Sequence, residues 1–298
     1  TDTALWRIVF DMGANNEMWG DIVAAFGTNV AEFKVMANAT DSWGSPTRSV
    51  TVDTSIRSDS LDGTGPGWAA LDTVDEMVPH EFASKSGKRY MVSFSGTGNA
   101  YEITDNTATT IICRDQDLSS ETGTATIYMN AGWGSINLDE MRYLAFEVAA
   151  NEPNPDGYFS LGQLVASEKV SMNVGDGSDA AFGWQRGTRI PVQVEEAEDG
   201  YQTATVIGGP QETLLLPMVE SVQELRDWSH EVSALLRYLD GPGSLVALVL
   251  DSTESSFHRN GGLYRVQGTT VSETHVYGNA TDTTQRWRAP AISLREVT

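Results

Sequence analysis

The stretch Val219-Glu220-Ser221-Val222-Gln223-Glu224-Leu225-Arg226-Asp227-Trp228-Ser229-His230-Glu231-Val232-Ser233-Ala234-Leu235-Leu236-Arg237-Tyr238-Leu239-Asp240-Gly241-Pro242-Gly243, running on to Asp251, decides the reading of the fold. Its apolar residues fall at Val219, Val222, Leu225, Trp228, Val232, Leu235, Leu236 and Leu239. Steps mostly of three or four put them on one stripe of a helix. Ser221 followed by Glu224 is a capping-box pattern, and Glu220, Glu224 and Asp227 suit the positive end of the helix dipole. Gly241-Pro242-Gly243 stops the run. The spacing predicts a helix over 221–240, packed through Val222, Leu225, Trp228, Leu235 and Leu239. The apolar run Leu245 to Leu250 then reads as a buried strand. An apolar helical stripe serves a core more often than a partner's groove.

Working outward, the rest of the chain reads as short strands and turns. Strands are expected at Leu5–Phe10, Val30–Ala37, Ser49–Ile56, Arg89–Phe94, Tyr101–Thr104, Thr109–Arg114, Ala125–Met129 and Leu144–Val148. Residues 58–67 (SDSLDGTGPG) read as a loop, and Glu152-Pro153-Asn154-Pro155-Asp156-Gly157 as the strongest breaker. Tyr158–Val170 reads as a strand pair through Gly162. Beyond a linker near 173–179 come strands at Arg189–Glu195 and Tyr201–Ile207, joined by a hairpin. Further strands follow at Leu263–Gln267, Ser272–Tyr277 and Ala291–Val297. The fold class is therefore mainly β: an antiparallel β-sandwich over 1–175, and over 176–298 a second β-domain carrying one packed α-helix.

Composition narrows the function classes. With 41 Asp plus Glu against 19 Lys plus Arg, the net charge is −22, which repels phosphate backbones and argues against sequence-specific nucleic-acid binding. No apolar run is long enough for a membrane span. Cys113 is the only cysteine, so neither an internal disulfide nor a cysteine zinc site is open to the chain. It reads as a small buried apolar residue. The start at Thr1 fits processing in a bacterial cytoplasm, and the sequons at Asn38 and Asn279 read as turns.

No catalytic, metal or cofactor motif emerges, and the expectation is a non-enzyme without cofactor. The histidines His80, His230, His258 and His275 form no metal-ligand spacing, and no nucleophile elbow is present. Asp53, Asp59 and Asp62, or Asp72, Asp75 and Glu76, are the oxygen clusters to weigh for calcium, with solvated loop charge as the plainer explanation. Glu195-Glu196-Ala197-Glu198-Asp199-Gly200 reads as a hairpin tip kept soluble by charge.

Three segments carry a resemblance. Leu5-Trp6-Arg7-Ile8-Val9-Phe10 resembles the opening strand of galactose-binding-like jelly rolls common in virion proteins. Arg142 to Val148, continued by Pro155-Asp156-Gly157-Tyr158 to Ala166, is similar to a second segment of such jelly rolls. The helix unit ending Leu235-Leu236-Arg237-Tyr238-Leu239-Asp240-Gly241-Pro242-Gly243, with the closing strand Arg288–Val297, looks like the ring-forming domain of distal-tail and minor tail proteins of long-tailed bacteriophages. The resemblance covers about half the chain and implies a structural role in a phage tail tip or baseplate. Its implied partners are copies of itself, in a ring or trimer, and other tail proteins, in a virion assembled in the bacterial cytoplasm. Eight tryptophans suit interface anchoring. The alternative is a carbohydrate-binding or receptor-binding virion protein, with Trp43, Trp68 and Trp133, helped by Asp41 and Asp72, stacking on host surface glycans.

Overall fold

The computed structural model describes residues 5–13, 18, 20–73, 75–84, 88–167, 185–189, 192–196, 202–206, 211–217, 220–221, 245–249, 261–276 and 285–297. The chain divides into two units, Thr1–Lys169 with Val249–Gly261, and Val170–Leu248 with Gly262–Thr298. The described elements are antiparallel strands, and no helix occurs among the described residues.

In the first unit the strands are β1 (Leu5–Asp11), β2 (Ile22–Phe26), β3 (Glu32–Asn38), β4 (Arg48–Asp53), β5 (Ser55–Asp72), β6 (Tyr90–Phe94), β7 (Ala100–Glu102), β8 (Asp105–Asn106), β9 (Thr110–Asp117), β10 (Thr124–Met129), β11 (Ala131–Ser135), β12 (Tyr143–Ala149) and β13 (Gln163–Ser167). Seven of them build two sheets that share a core, ordered β1-β12-β3-β4 and β11-β2-β13. Alternation fixes which residues enter that core: Phe33, Val35 and Ala37 from β3, Leu144, Phe146 and Val148 from β12, Val23 and Ala25 from β2. Phe146 stacks 4.7 Å from Phe33 between ring centres and meets Trp6 edge-on at 6.1 Å.

The remaining six strands, β5 to β10, come from one uninterrupted segment and form a separate sheet, ordered β7-β6-β10-β5-β9-β8. Its two edge strands are consecutive in the chain. Between them, the Ile103 amide donates to Tyr90 O on β6, and the Thr104 amide to Ile112 O on β9. The sheet thus curls into a half-barrel. Val92, Phe94, Ile103, Ile111, Ala125 and Ile127 fill it, all at most 1% exposed.

Glycines account for one departure from the sequence reading and for one strand it did not name. Residues 58–67, expected as a loop, lie inside the long strand β5, where Trp68 lies across the strand's own glycines. A Cβ at Gly65 would come 2.6 Å from the Trp68 ring, so this glycine makes room for an aromatic rather than a turn. Strand β11 (AGWGS) has the same logic: Cβ atoms at Gly132 and Gly134 would meet Val52 and Val50 of β4 at 2.8 and 2.9 Å. The expected strand pair over 158–170 reduces, among the described residues, to β13; before it the Asn29 side chain holds Tyr158 O and the Ser160 amide. Asn38, in the first sequon, is buried and ties the turn that follows it, donating to Ser42 O and accepting from the Thr47 amide.

The second unit contributes β14 (Gln185–Arg189), β15 (Val192–Glu196), β16 (Gln202–Val206), β17 (Gln211–Pro217), β18 (Glu220–Ser221), β19 (Leu245–Val249), β20 (Gly261–Val276) and β21 (Gln285–Glu296). A sheet runs β14-β17-β21-β20-β19, with β18 on β21, and its buried residues include Leu214, Val266, Ile292 and Leu294. The two strands expected at 263–267 and 272–277 are one strand, β20, interrupted by a register shift between Val266 and Gly268. The expected hairpin appears as β15 paired with β16. The expected helix over 221–240 begins at a residue that pairs instead as a strand, Ser221 opposite Trp287. From Val222 onward, including Leu225, Trp228, Leu235 and Leu239, it lies outside the described residues.

Candidate functional site

Trp43, Trp68 and Trp133 occupy three different places in the first unit. Trp43 is half-buried in the turn after β3; its indole N–H donates to Asp41 Oδ1 at 2.6 Å and the Arg7 guanidinium sits 5.9 Å from its ring centre. Arg7 in turn is paired with Glu147 across the β1–β12 ladder. Trp133 is half-buried on β11 opposite Ala24 of β2. Trp68 is 41% exposed, with its ring against Gly63 and Gly65. No ring contact joins any two of these three, so they form no common stacking platform. Trp68 alone combines a supported ring with substantial exposure.

The densest polar constellation among the described residues was not apparent in the sequence. Arg89, just ahead of β6, forks between two carboxylates. Its Nη2 donates to Glu102 Oε2 at 2.7 Å and to Asp156 Oδ1 at 3.1 Å, while Nη1 donates to Asp156 Oδ2 at 3.2 Å. Asn29, fully buried, donates through Nδ2 to Asp156 Oδ2 and to Tyr158 O, and accepts from the Ser160 amide. Asn130 completes the set, its Oδ1 accepting from the Arg89 amide and its own amide donating to Arg89 O. The network ties the half-barrel to the 152–160 segment of the sandwich.

Its electrostatics follow from these contacts. Burial disfavours the Asp156 carboxylate, yet hydrogen bonds from Arg89 and Asn29 outweigh that and keep its pKa below the usual value. The Asp156 hydrogen bond, against the cost of burial, and then Glu102 hold the Arg89 guanidinium more firmly protonated. Burial pushes the Glu152 carboxyl up, partly offset by the Glu32 amide that donates to it. Within this region Tyr128 Oη and Thr28 Oγ1 are buried without a hydrogen-bond partner, and burial raises the Tyr128 phenol well above its ordinary pKa.

A second polar knot closes one end of the half-barrel. The Glu121 carboxylate is 3% exposed and accepts from Thr97 Oγ1, from Asn99 Nδ2 at 3.0 Å and from Tyr101 Oη at 2.8 Å. Burial, followed by the Glu121 carboxylate, pushes the Tyr101 phenol up to about 12. Its donors come from the turn after β6 and from β7, so the carboxylate gathers backbone segments rather than facing a substrate.

Among the other expected residues, Cys113 is fully buried and burial pushes its thiol up to about 12, the behaviour of an inert core cysteine. Of the carboxylates weighed for calcium, Asp59 is gripped by Arg57 and Asp53 accepts the Ser55 amide. Among the described residues no group of three or more His, Cys, Asp or Glu side chains is placed to hold a metal ion. His80 pairs with Asp105, Nδ1 to Oδ1 at 2.8 Å, on an exposed turn where His80 has φ +64°. That pairing, 25 residues apart in the chain, carries no signal a single sequence reveals. No helix among the described residues is long and apolar enough to cross a membrane.

No protein-family model, no curated protein and no solved structure matches this chain.

Proposed function

We propose that this chain is a structural component of a bacteriophage tail tip or baseplate, assembling as an oligomer that links the tail tube to the hub or fibres. The observation that carries the reading is the interleaved sandwich: β1 pairs with β12, and β2 lies between β11 and β13. Early strands thus lie beside late ones across the sandwich, as they do in jelly rolls, which supports the virion-protein resemblance of Leu5–Phe10 and Arg142–Ala166. The acidic balance of −22 supports a role beside passing DNA, to which like charge prevents adhesion. Carboxylates in the polar networks are bound by Arg89, Asn29, Asn99 and Tyr101, so they act as ties within the fold.

The test is the copy number of the chain in purified virions, measured by quantitative mass spectrometry. A fixed low number that is a multiple of three supports the reading; absence from every particle overturns it.

A second role, contact with host glycans, is favoured by one observation, the exposed Trp68 ring laid against Gly63 and Gly65. Glycan-array binding lost in Trp68→Ala supports it, and binding that survives the change removes it.

A further inference from the structure

We infer that an ordered water molecule is built into the joint between the half-barrel and the 152–160 segment, held by Tyr128 Oη, Thr28 Oγ1 and Asn154 Oδ1.

Sequence, register and electrostatics bring these atoms to one place. Tyr128 lies on β10 between Ile127 and Met129, which fill the half-barrel. Neighbours along a strand point to opposite faces, so Tyr128 points away from that core, beside Met91 of β6. Both are nevertheless fully buried. The charged groups that act on the Tyr128 phenol are Glu152, Asp156 and Arg89, which puts its hydroxyl against the 152–160 segment. Asn154 stands between Glu152 and Asp156 in that segment. Thr28 is tied to the same joint twice. Its amide donates to the carbonyl of Asn130, two residues past Tyr128, and its neighbour Asn29 donates to Asp156 Oδ2.

All three oxygens are buried and have no hydrogen-bond partner within the protein. A buried polar group left in that condition costs stability, and ordered water is the usual partner where side chains supply none. The chemistry fits a single water. The Asn154 oxygen only accepts, whereas each hydroxyl donates or accepts. A water that donates to Asn154 Oδ1 and Thr28 Oγ1 and accepts the Tyr128 O–H satisfies all of them. Buried waters typically make about three such bonds.

A cation fits less well. Asp156 is already balanced by Arg89 and Asn29, and burial works against the charge on Glu152. Among the described residues no group of three or more His, Cys, Asp or Glu side chains is placed to hold a metal ion. A larger solute would have to part the joint to reach oxygens this deeply covered.

The test compares the wild-type chain with Tyr128→Phe, Thr28→Val and the double variant, substitutions that remove a hydroxyl and keep the side-chain shape. Two quantities are read: the number of long-lived internal waters, by magnetic relaxation dispersion of the solvent, and the unfolding equilibrium in urea. The expected result is one internal water fewer in Tyr128→Phe, with an unfolding constant about tenfold larger. The double variant should lose little more than either single one, because both have lost the same water. A hydroxyl without any partner gives the opposite sign, since removing it makes Tyr128→Phe more stable than the wild type. That gain, an unchanged water count or strictly additive losses would overturn the inference. Unchanged hydrogen exchange in β1, β3 and β12 shows that the variants keep their fold.

Discussion

The sandwich and the half-barrel of the first unit are built from the same kind of strand but joined in opposite ways. Sandwich pairs span the first unit: Arg7 meets Glu147, and Val23 meets Ala166. The half-barrel is one continuous segment, β5 to β10, inserted between β4 and β11. Its core closes from neighbours such as Phe94, Ala125 and Ile127, whereas the sandwich core waits for β12 before Phe146 can fill it. Non-local pairing carries the larger loop-closure cost, so the half-barrel is expected to fold first and the sandwich to close around its ends. The polar network at Arg89 then fastens one to the other.

The largest expected effect tests the sandwich. Phe146→Ala removes a fully buried ring against Phe33 and Trp6 and is expected to cost about 4 kcal/mol by urea unfolding. Hydrogen exchange should quicken in β1, β3 and β12 before it does in β6 and β10. Equal quickening everywhere would break the distinction between the two halves.

In the half-barrel, Glu121→Ala strips the acceptor from Thr97, Asn99 and Tyr101 and is expected to cost roughly 3 kcal/mol. The loss of protection should stay within residues 94–124; spread into β1 and β12 would show that the sandwich depends on this knot. Next comes Gly65→Ala, whose methyl would meet the Trp68 ring, for a loss of about 2 kcal/mol. A stability unchanged by this substitution would mean that the ring can move aside freely.

Arg89→Ala sharpens the comparison rather than enlarging it. The Arg89 side chain is 35% exposed, so solvent screening limits the expected cost to about 1 kcal/mol. A double-mutant cycle with Asp156→Asn should reveal coupling between the two halves; strict additivity would remove the fastening role.

The smallest effect is in acid. Arg142, then the Gly13 amide, lower Asp11 to about 2 from an ordinary value of 3.8. A depressed carboxylate stabilises the fold above its unfolded pKa and loses that contribution as pH falls through about 2. Asp11→Asn should therefore flatten the acid limb of the stability curve between those values. Glu152, shifted upward by burial, works the other way, its penalty easing as it is protonated. An acid limb identical in the variant would show that this exposed pair contributes nothing measurable.

Much of the strand pattern was legible because short runs rich in β-branched and aromatic residues, bounded by turn residues, mark strands. The segments around Tyr90–Phe94, Thr124–Met129 and Tyr143–Ala149 read directly. What failed was the meaning of glycine. Gly63, Gly65, Gly132 and Gly134 look like turn residues in a sequence, but they receive Trp68, Val50 and Val52 inside strands, and only the tertiary partner reveals that. Strand β2, Ile22–Phe26, escaped notice because its short apolar run lacks alternation. Of the candidate site, the exposure of Trp68 could be expected, while the Arg89–Glu102–Asp156–Asn29 network could not, since its members come from distant parts of the chain.

The most direct test of the assembly account is the native mass of the purified chain, measured across a range of protein concentrations. The account predicts a closed oligomer whose mass is a fixed multiple, three or six, of the 32.3 kDa chain. A chain that stays monomeric at every concentration and joins no particle would contradict it.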